Sequence, residues 1–181
     1  VPQRSRRALF IFSALLHDIG KSLTRSVEPG GRVRFFDHEK KGAELARRIS
    51  EAWALSNDEA EYVEKMLALH MRIHLLANNP ALPDKRVIHR FFRDAGDLGV
   101  DLCILSLADT LATRGTELPV DVWNKELQVC SMLLEAWYEQ KDQVVTPEKL
   151  LSGNEVMKLL NIPPGMLVGE ILETLKEAQA A

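Results

Sequence analysis

Apolar residues recur at helical spacing along almost the whole of this chain, and two of the resulting helices are greasy on most faces yet contain ionisable groups. Residues 7–19 carry Leu9, Phe10, Ile11, Phe12, Leu15 and Leu16, which predicts a central helix, the hub of the core, ending near Gly20. Residues 100–114 predict a second such helix through Leu102, Ile104, Leu105, Leu107 and Leu111. An unpaired charge inside a core costs of order several kcal/mol or is neutralised by a shifted pKa. Yet His17-Asp18 interrupts the last turn of the first helix, and Asp109 shares a face of the second with Leu102, Leu105 and Ala112, so it is expected to point into the core. Something must neutralise it. A divalent metal shared between carboxylates and imidazoles would do so, and that donor set suits Mn, Fe, Co, Ni or Zn better than Ca.

The rest of the pattern is helical with one interruption. Between residues 23 and 36 the β-formers Val27, Val33 and Phe35 flank Glu28-Pro29-Gly30-Gly31, which predicts a short hairpin or loop. Asp37 is placed to cap a helix from His38 to about Trp53, and Ser56 or Asn57 one that continues through Val63, Met66, Leu67, His70, Ile73 and Ala77. Pro83-Asp84 opens a helix that runs to Gly96, and an amphipathic helix spans Val120 to about Lys141. After Pro147 two short pieces, 154–160 and 166–178, are separated by Asn161-Ile162-Pro163-Pro164-Gly165. The expected class is therefore all-α: a helical domain over residues 1–145 and a small accessory helical tail over 146–181.

His38, opening its helix after a turn-rich stretch, and His70, on an apolar stripe, are the natural additional ligands and would make room for a second ion. Each alone has a blander reading. A lone histidine on an apolar face is more often a satisfied core residue, and one that opens a helix is usually solvated. Consecutive helical residues diverge by about a third of a turn, so His17 and Asp18 share a cation only if it lies beyond the helix end, which Gly20 permits. Lys21 follows, and its ammonium would draw a phosphate oxygen toward such a cation; opposing the helix dipole is an equally good reason for it.

Global charge narrows the function classes. With 23 Lys+Arg against 26 Asp+Glu the net charge is -3, so no overall field holds nucleic acid, and any RNA contact must be local. Arg90 and Arg93, on one predicted helix, are the candidates for a phosphate track, although charges on an exposed face are usually just solvated. Cys103 and Cys130 lack C-x-x-C spacing and sit in apolar surroundings, which predicts reduced core residues and suits the cytoplasm. No apolar run approaches the roughly 20 residues of a membrane span. Val1-Pro2-Gln3-Arg4 is neither an initiator methionine nor a signal peptide, and reads as a cut or processed end.

The ordered set Leu15-Leu16-His17-Asp18-Ile19-Gly20-Lys21, Phe35 to Ala46, Leu69-His70-Met71 and Ser106 to Ala112 resembles the signature of the HD superfamily of metal-dependent phosphohydrolases. Arg90-Phe91-Phe92-Arg93-Asp94-Ala95-Gly96, Leu151 to Met157 and Pro163 to Leu172 are similar to the C-terminal HD region of the bacterial tRNA nucleotidyltransferase (CCA-adding) and poly(A) polymerase family in particular. The resemblance implies a helical bundle in which His17, Asp18 and Asp109 hold a divalent metal, Mn, Ni, Co, Fe, Zn or Mg. His38 and His70 align with ligands of the dinuclear members, so one or two ions are implied. It further implies water attack on a phosphomonoester, a phosphodiester or a 2′,3′-cyclic nucleotide, with Asp18 and Lys21 at the reaction and Lys21 and Arg72 steadying the phosphate. The partners implied are a nucleotide or phosphoester substrate, tRNA and a preceding nucleotidyltransferase domain. The alternative is a non-catalytic domain that binds and orients tRNA through Arg90 and Arg93. Two departures stand out. The family carries an earlier histidine, and the sixteen residues before His17 hold none, so either a segment precedes this one or the site is one ligand short. Gly30-Gly31-Arg32-Val33-Arg34-Phe35 imitates the start of a nucleotidyltransferase strand, but Phe35 stands where its Asp belongs and no D-x-D follows. Nucleotide transfer by this segment alone is not expected.

Overall fold

The computed structural model describes residues 4–148 and 150–179, so the reading of Val1-Pro2-Gln3 lies outside the described residues. The helices are α1 (Arg6–Leu16), α2 (Lys21–Thr24), α3 (His38–Ala52), α4 (Asn57–Leu69), α5 (Arg72–Ala77), α6 (Lys85–Ala95), α7 (Leu98–Arg114), α8 (Val120–Glu139), α9 (Gly153–Leu160) and α10 (Met166–Gln179). Between α2 and α3, β1 (Arg25–Val27) pairs antiparallel with β2 (Val33–Phe35) in the register Arg25↔Phe35 and Val27↔Val33. The all-α class holds, with the hairpin where the turn signal predicts it. Gly30 and Gly31 supply the positive φ of 107° and 84° that its turn needs.

Local chemistry sets most of the boundaries. Ser56 and Glu59 form a reciprocal capping box at the start of α4, Ser152 and Glu155 do the same for α9, and the Asp84 carboxylate accepts from Val87 N to cap α6. Asp37 does not cap α3 as expected. Its backbone is left-handed (φ 56°), whereas side-chain capping needs an extended residue, and its carboxylate pairs instead with Lys40 at 2.6 Å. The continuous helix expected across residues 57–77 is broken at His70-Met71. There the His70 ring nitrogen Nδ1 lies 2.7 Å from the Leu67 carbonyl and competes for the acceptor that the Met71 amide would use if the helix ran on. The same device ends α1 early, at Leu16, where His17 Nδ1 lies 2.7 Å from the Ala14 carbonyl.

α1 is not the hub that its composition suggests. Leu9 and Ser13 are its buried residues, while Ile11 is 56% and Leu15 79% exposed, because α1 packs chiefly against α4. The centre is α4, which lies along α3 and touches α1 and α7, and whose Val63, Met66 and Leu67 are fully buried. Ile73, Phe91, Leu102, Val129 and Leu133 continue that core through α5, α6, α7 and α8. Cys103 and Cys130 are buried and free, as expected. In the tail α9 packs on α10, and α10 reaches α6.

One close approach locks the start of α3 to the end of α1. A Cβ at Gly20 would overlap the His38 carbonyl oxygen and come within 2.6 Å of Gly42 N. Backbone cannot yield as a side chain can, so Gly20→Ala is expected to cost about 1–3 kcal/mol in urea denaturation. Gly42→Ala, whose Cβ finds ordinary contacts at 3.4 Å and beyond, is expected to be neutral or to stabilise by up to about 1 kcal/mol through helix propensity. A Gly20→Ala protein as stable as its parent would contradict this account of the junction.

Candidate metal centre

Three helix ends and one helix interior bring the ionisable residues together. His17 and Asp18 follow the last turn of α1, His38 opens α3, His70 follows α4, and Asp109 comes from the fourth turn of α7. Each of the three imidazoles is tied back to the carbonyl three residues before it: His17 to Ala14 and His70 to Leu67 at 2.7 Å, and His38 to Phe35 at 2.9 Å. A nitrogen facing a carbonyl must carry the proton, so in each neutral ring Nδ1 donates and Nε2 keeps its lone pair. The three Nε2 atoms then converge on the carboxylates. His17 Nε2 lies 3.3 Å from Asp18 Oδ2 and 3.5 Å from Asp109 Oδ1. His38 and His70 Nε2 lie 3.5 and 3.9 Å from Asp18 Oδ1.

The two oxygens of Asp18 therefore face different imidazoles, Oδ2 toward His17 and Oδ1 toward His38 and His70. Lys21 Nζ donates to Oδ2 at 2.6 Å. A donor set for a cation is the best physical account of this cluster. His38 and His70 Nε2 are only 3.2 Å apart, two lone pairs pressed together unless a positive charge sits between them. His17 Nε2 is buried without a hydrogen-bond partner, since neither neighbouring carboxylate is aligned to accept from it. One ligand atom each from Asp18, His38 and His70 lies within 4.8 Å of the others. Imidazole nitrogen with carboxylate oxygen is the donor chemistry of Mn, Fe, Co, Ni or Zn.

The electrostatics make the same demand. Asp109 and Asp18 push the His17 pKa up to about 10, so without another cation a proton occupies the place between the carboxylates. Burial opposes ionisation of Asp18, but His17 and Lys21 outweigh it and hold its carboxyl below the usual range; His17 and His74 do the same for Asp109. Burial lowers His70 to about 4, which keeps its lone pair free at neutral pH.

A cavity of about 440 Å³ opens beside the cluster. Lys21 and Phe35 stand on one side, Asn78, Thr113 and Arg114 on the other, with Asp18, His38 and Asp109 in its wall. Asp109 is not sealed in the core as expected. Its side chain is 26% exposed because the face it shares with Leu102 and Leu105 runs out of core and into this cavity. Of the other expected site residues, Arg72 pairs with Asp94 at 3.2 Å, and Arg90 and Arg93 hold the two oxygens of Glu177 at 2.6 and 3.0 Å. The structure brings none of the three to the cavity wall.

Sequence reading missed His74 and Glu126. His74 Nε2 lies 3.3 Å from Asp109 Oδ2 and its Nδ1 3.0 Å from Glu126 Oε1. Burial disfavours the imidazolium, but the two carboxylates outweigh it and raise the His74 pKa to about 9. The signals were present. His74 follows His70 by four residues, and Glu126 precedes Cys130 by four on the buried face of α8. Arg34 and Arg114, also on the cavity wall, carried no comparable signal.

Comparison with known proteins shows the family to which the chain belongs. The family model described as the HD domain matches residues 4–114. The chain is 40% identical over 176 residues to the CC-adding tRNA nucleotidyltransferase of Thermus thermophilus, a match covering 93% of this chain and 35% of that protein. It is 35% identical over 176 residues to the A-adding tRNA nucleotidyltransferase of Deinococcus radiodurans, covering 95% and 38%. A bifunctional uridylyltransferase/uridylyl-removing enzyme of Bordetella avium is 34% identical over 122 residues, covering 66% and 12%. The chain thus spans little more than a third of the length of the tRNA nucleotidyltransferases it matches. Carrying His17-Asp18 and Asp109 within the matched segment, on a helical frame that converges them, it belongs to the HD domain family.

Proposed function

We propose that this chain is a divalent-metal-dependent phosphohydrolase domain acting on a phosphomonoester, a phosphodiester or a 2′,3′-cyclic nucleotide. The observation that carries the reading is the convergence of three imidazole Nε2 atoms on Asp18 and Asp109 with every Nδ1 anchored to backbone. A divalent ion, held by His17, Asp18, His38, His70 and Asp109, would supply Lewis acidity toward a phosphoryl oxygen and would acidify water. The protein's own groups do the rest. Asp18 turns one oxygen toward His17 and the other toward His38 and His70. Lys21, paired with Asp18 and already in the cavity wall, is placed to meet the phosphate and orient it. The β-hairpin, through Val33 and Phe35, walls the cavity against bulk water.

The relatives support a wider setting. The two named tRNA nucleotidyltransferases are about three times the length of the matched segment, which favours a nucleotidyltransferase core as partner and nucleotides or tRNA ends as substrates. Residues 146–181 would serve as an accessory unit to the catalytic body, and two buried free cysteines suit a cytoplasmic protein. No described helix is long and apolar enough to cross a membrane. The tRNA-orienting alternative finds less support, because Glu177 and Asp94 already compensate the arginines it depends on.

Elemental analysis of the purified chain is expected to give one or two equivalents of a transition metal, and the loaded protein to hydrolyse bis-p-nitrophenyl phosphate or 2′,3′-cyclic nucleotides. Asp18→Ala should remove both, with a loss of at least about 100-fold in rate. Hydrolysis that survives complete chelation, or is unchanged in Asp18→Ala, would refute the assignment. Binding should also depend on pH in a fixed direction. Because His17 holds a proton up to a pKa of about 10, a cation must displace it, and affinity should rise as pH increases from 6 toward 10. A Co(II) titration at successive pH values is expected to show up to about tenfold tightening per unit for one proton released. Affinity flat across that interval would show that no proton leaves His17.

A further inference from the structure

A carboxylate buried on the apolar face of a helix is the least expected feature of this core, and Glu126 is one. Its residue is only 3% exposed, on the face of α8 that also buries Val129, Cys130 and Leu133. Desolvating such a group costs of order several kcal/mol unless it is well paired, and an apolar residue would fill the place more cheaply. Glu126 has two partners. The Ser106 hydroxyl donates to its Oε1, and His74 Nδ1 meets the same oxygen at 3.0 Å.

His74 differs from the other three histidines of the site in one chemical respect. His17, His38 and His70 spend Nδ1 on a backbone carbonyl and hold Nε2 out as a ligand. His74 has carboxylates at both nitrogens, Glu126 at Nδ1 and Asp109 Oδ2 at Nε2, so neither lone pair is left for a cation. It sits one helical turn beyond His70, on α5, where it joins α8 to α7.

We propose that Glu126 and His74 form a positioning pair that fixes the carboxylate of Asp109 and leaves its Oδ1 as the ligand atom. With His74 on Oδ2, that oxygen is turned away from the cluster. Oδ1 is left beside His17 Nε2 at 3.5 Å, and the Thr113 hydroxyl donates to it at 3.1 Å, which fixes the remaining rotation of the carboxylate. Asp109 then presents a single oxygen in a fixed direction. The pair lines the cavity but has no free lone pair for a metal, and its role is to act through Asp109. Glu126 anchors from inside the core what His74 passes to the wall of the cavity, which is why a carboxylate stands in a buried face. This inference rests on Asp109 being a metal ligand, as proposed above.

The test is a Co(II) titration of the complete chain, read by the visible absorption of the bound ion and by its dissociation constant in chelator competition. The parent would be set beside Asp109→Asn, His74→Phe, Glu126→Gln and the double variant His74→Phe/Glu126→Gln, each checked for fold by circular dichroism without metal. Removing such an outer partner typically weakens metal binding by about 10–100-fold. His74→Phe is expected to fall in that range with an altered Co(II) band, and Glu126→Gln to change both in the same direction and by less. Because the two residues act as one unit, the double variant should be no weaker than His74→Phe alone. His74→Gln, which keeps a side-chain donor for Asp109, should restore part of the affinity. A folded His74→Phe protein with the affinity and spectrum of the parent, beside a weakened Asp109→Asn, would overturn the positioning role while leaving the metal assignment intact. If Asp109→Asn also binds as the parent does, it is the assignment of Asp109 that fails. Should His74→Phe not fold, the isosteric Glu126→Gln decides alone: unchanged affinity and spectrum would overturn the pair.

Discussion

Three short bonds from imidazole Nδ1 to the carbonyl three residues earlier organise both the fold and the site of this protein. At His17 and His70 the bond competes with the helical ladder, so the helix stops where the ligand is needed. At His38 it ties the first residue of α3 back to the end of the hairpin. In all three the ring is oriented and its tautomer set before any cation arrives, so little freedom is lost when one binds. A helix boundary and a ligand geometry are here the same physical event.

The arrangement is costly without a cation. Two ionised carboxylates, a pair of facing Nε2 lone pairs and a buried, unpartnered Nε2 are held together by the packing of α1, α3, α4 and α7 around them. Without a bound cation, a proton on His17 would carry the compensating charge. Geometry and electrostatics both call for positive charge at this place. The large apolar core around α4 supplies the stability from which such local strain is drawn, and the close contact of Gly20 with the first turn of α3 keeps it from relaxing.

Much of this was legible in the residues themselves. Helix positions followed from apolar spacing and caps, and His17, Asp18, His38, His70 and Asp109 stood out as ionisable groups in apolar or turn-rich places. What stayed hidden had physical reasons. Apolar spacing does not say how many neighbours a helix finds, so α1 read as a hub although α4 is its chief contact. Propensity does not register a side chain competing for its own helix's carbonyl, so the break at His70-Met71 was missed. Glu126 was passed over despite its spacing from Cys130 because a single acid on an amphipathic helix normally faces water, and its partner His74 gains meaning only when α5 and α8 are packed side by side. Arg90 and Arg93 failed as a free track for a related reason: the Glu177 that neutralises them lies more than eighty residues away in sequence.

The central claim is that these side chains surround a cation, and crystals grown with Mn(II) or Ni(II) and measured at the metal's absorption edge would address it directly. The account predicts an anomalous peak within bonding distance, roughly 2.0–2.2 Å, of the Nε2 atoms of His38 and His70 and an oxygen of Asp18, or a peak shared by His17, Asp18 and Asp109, or both. A crystal with its strongest peak on surface residues, and with the three Nε2 atoms hydrogen-bonded to water or to one another, would contradict it.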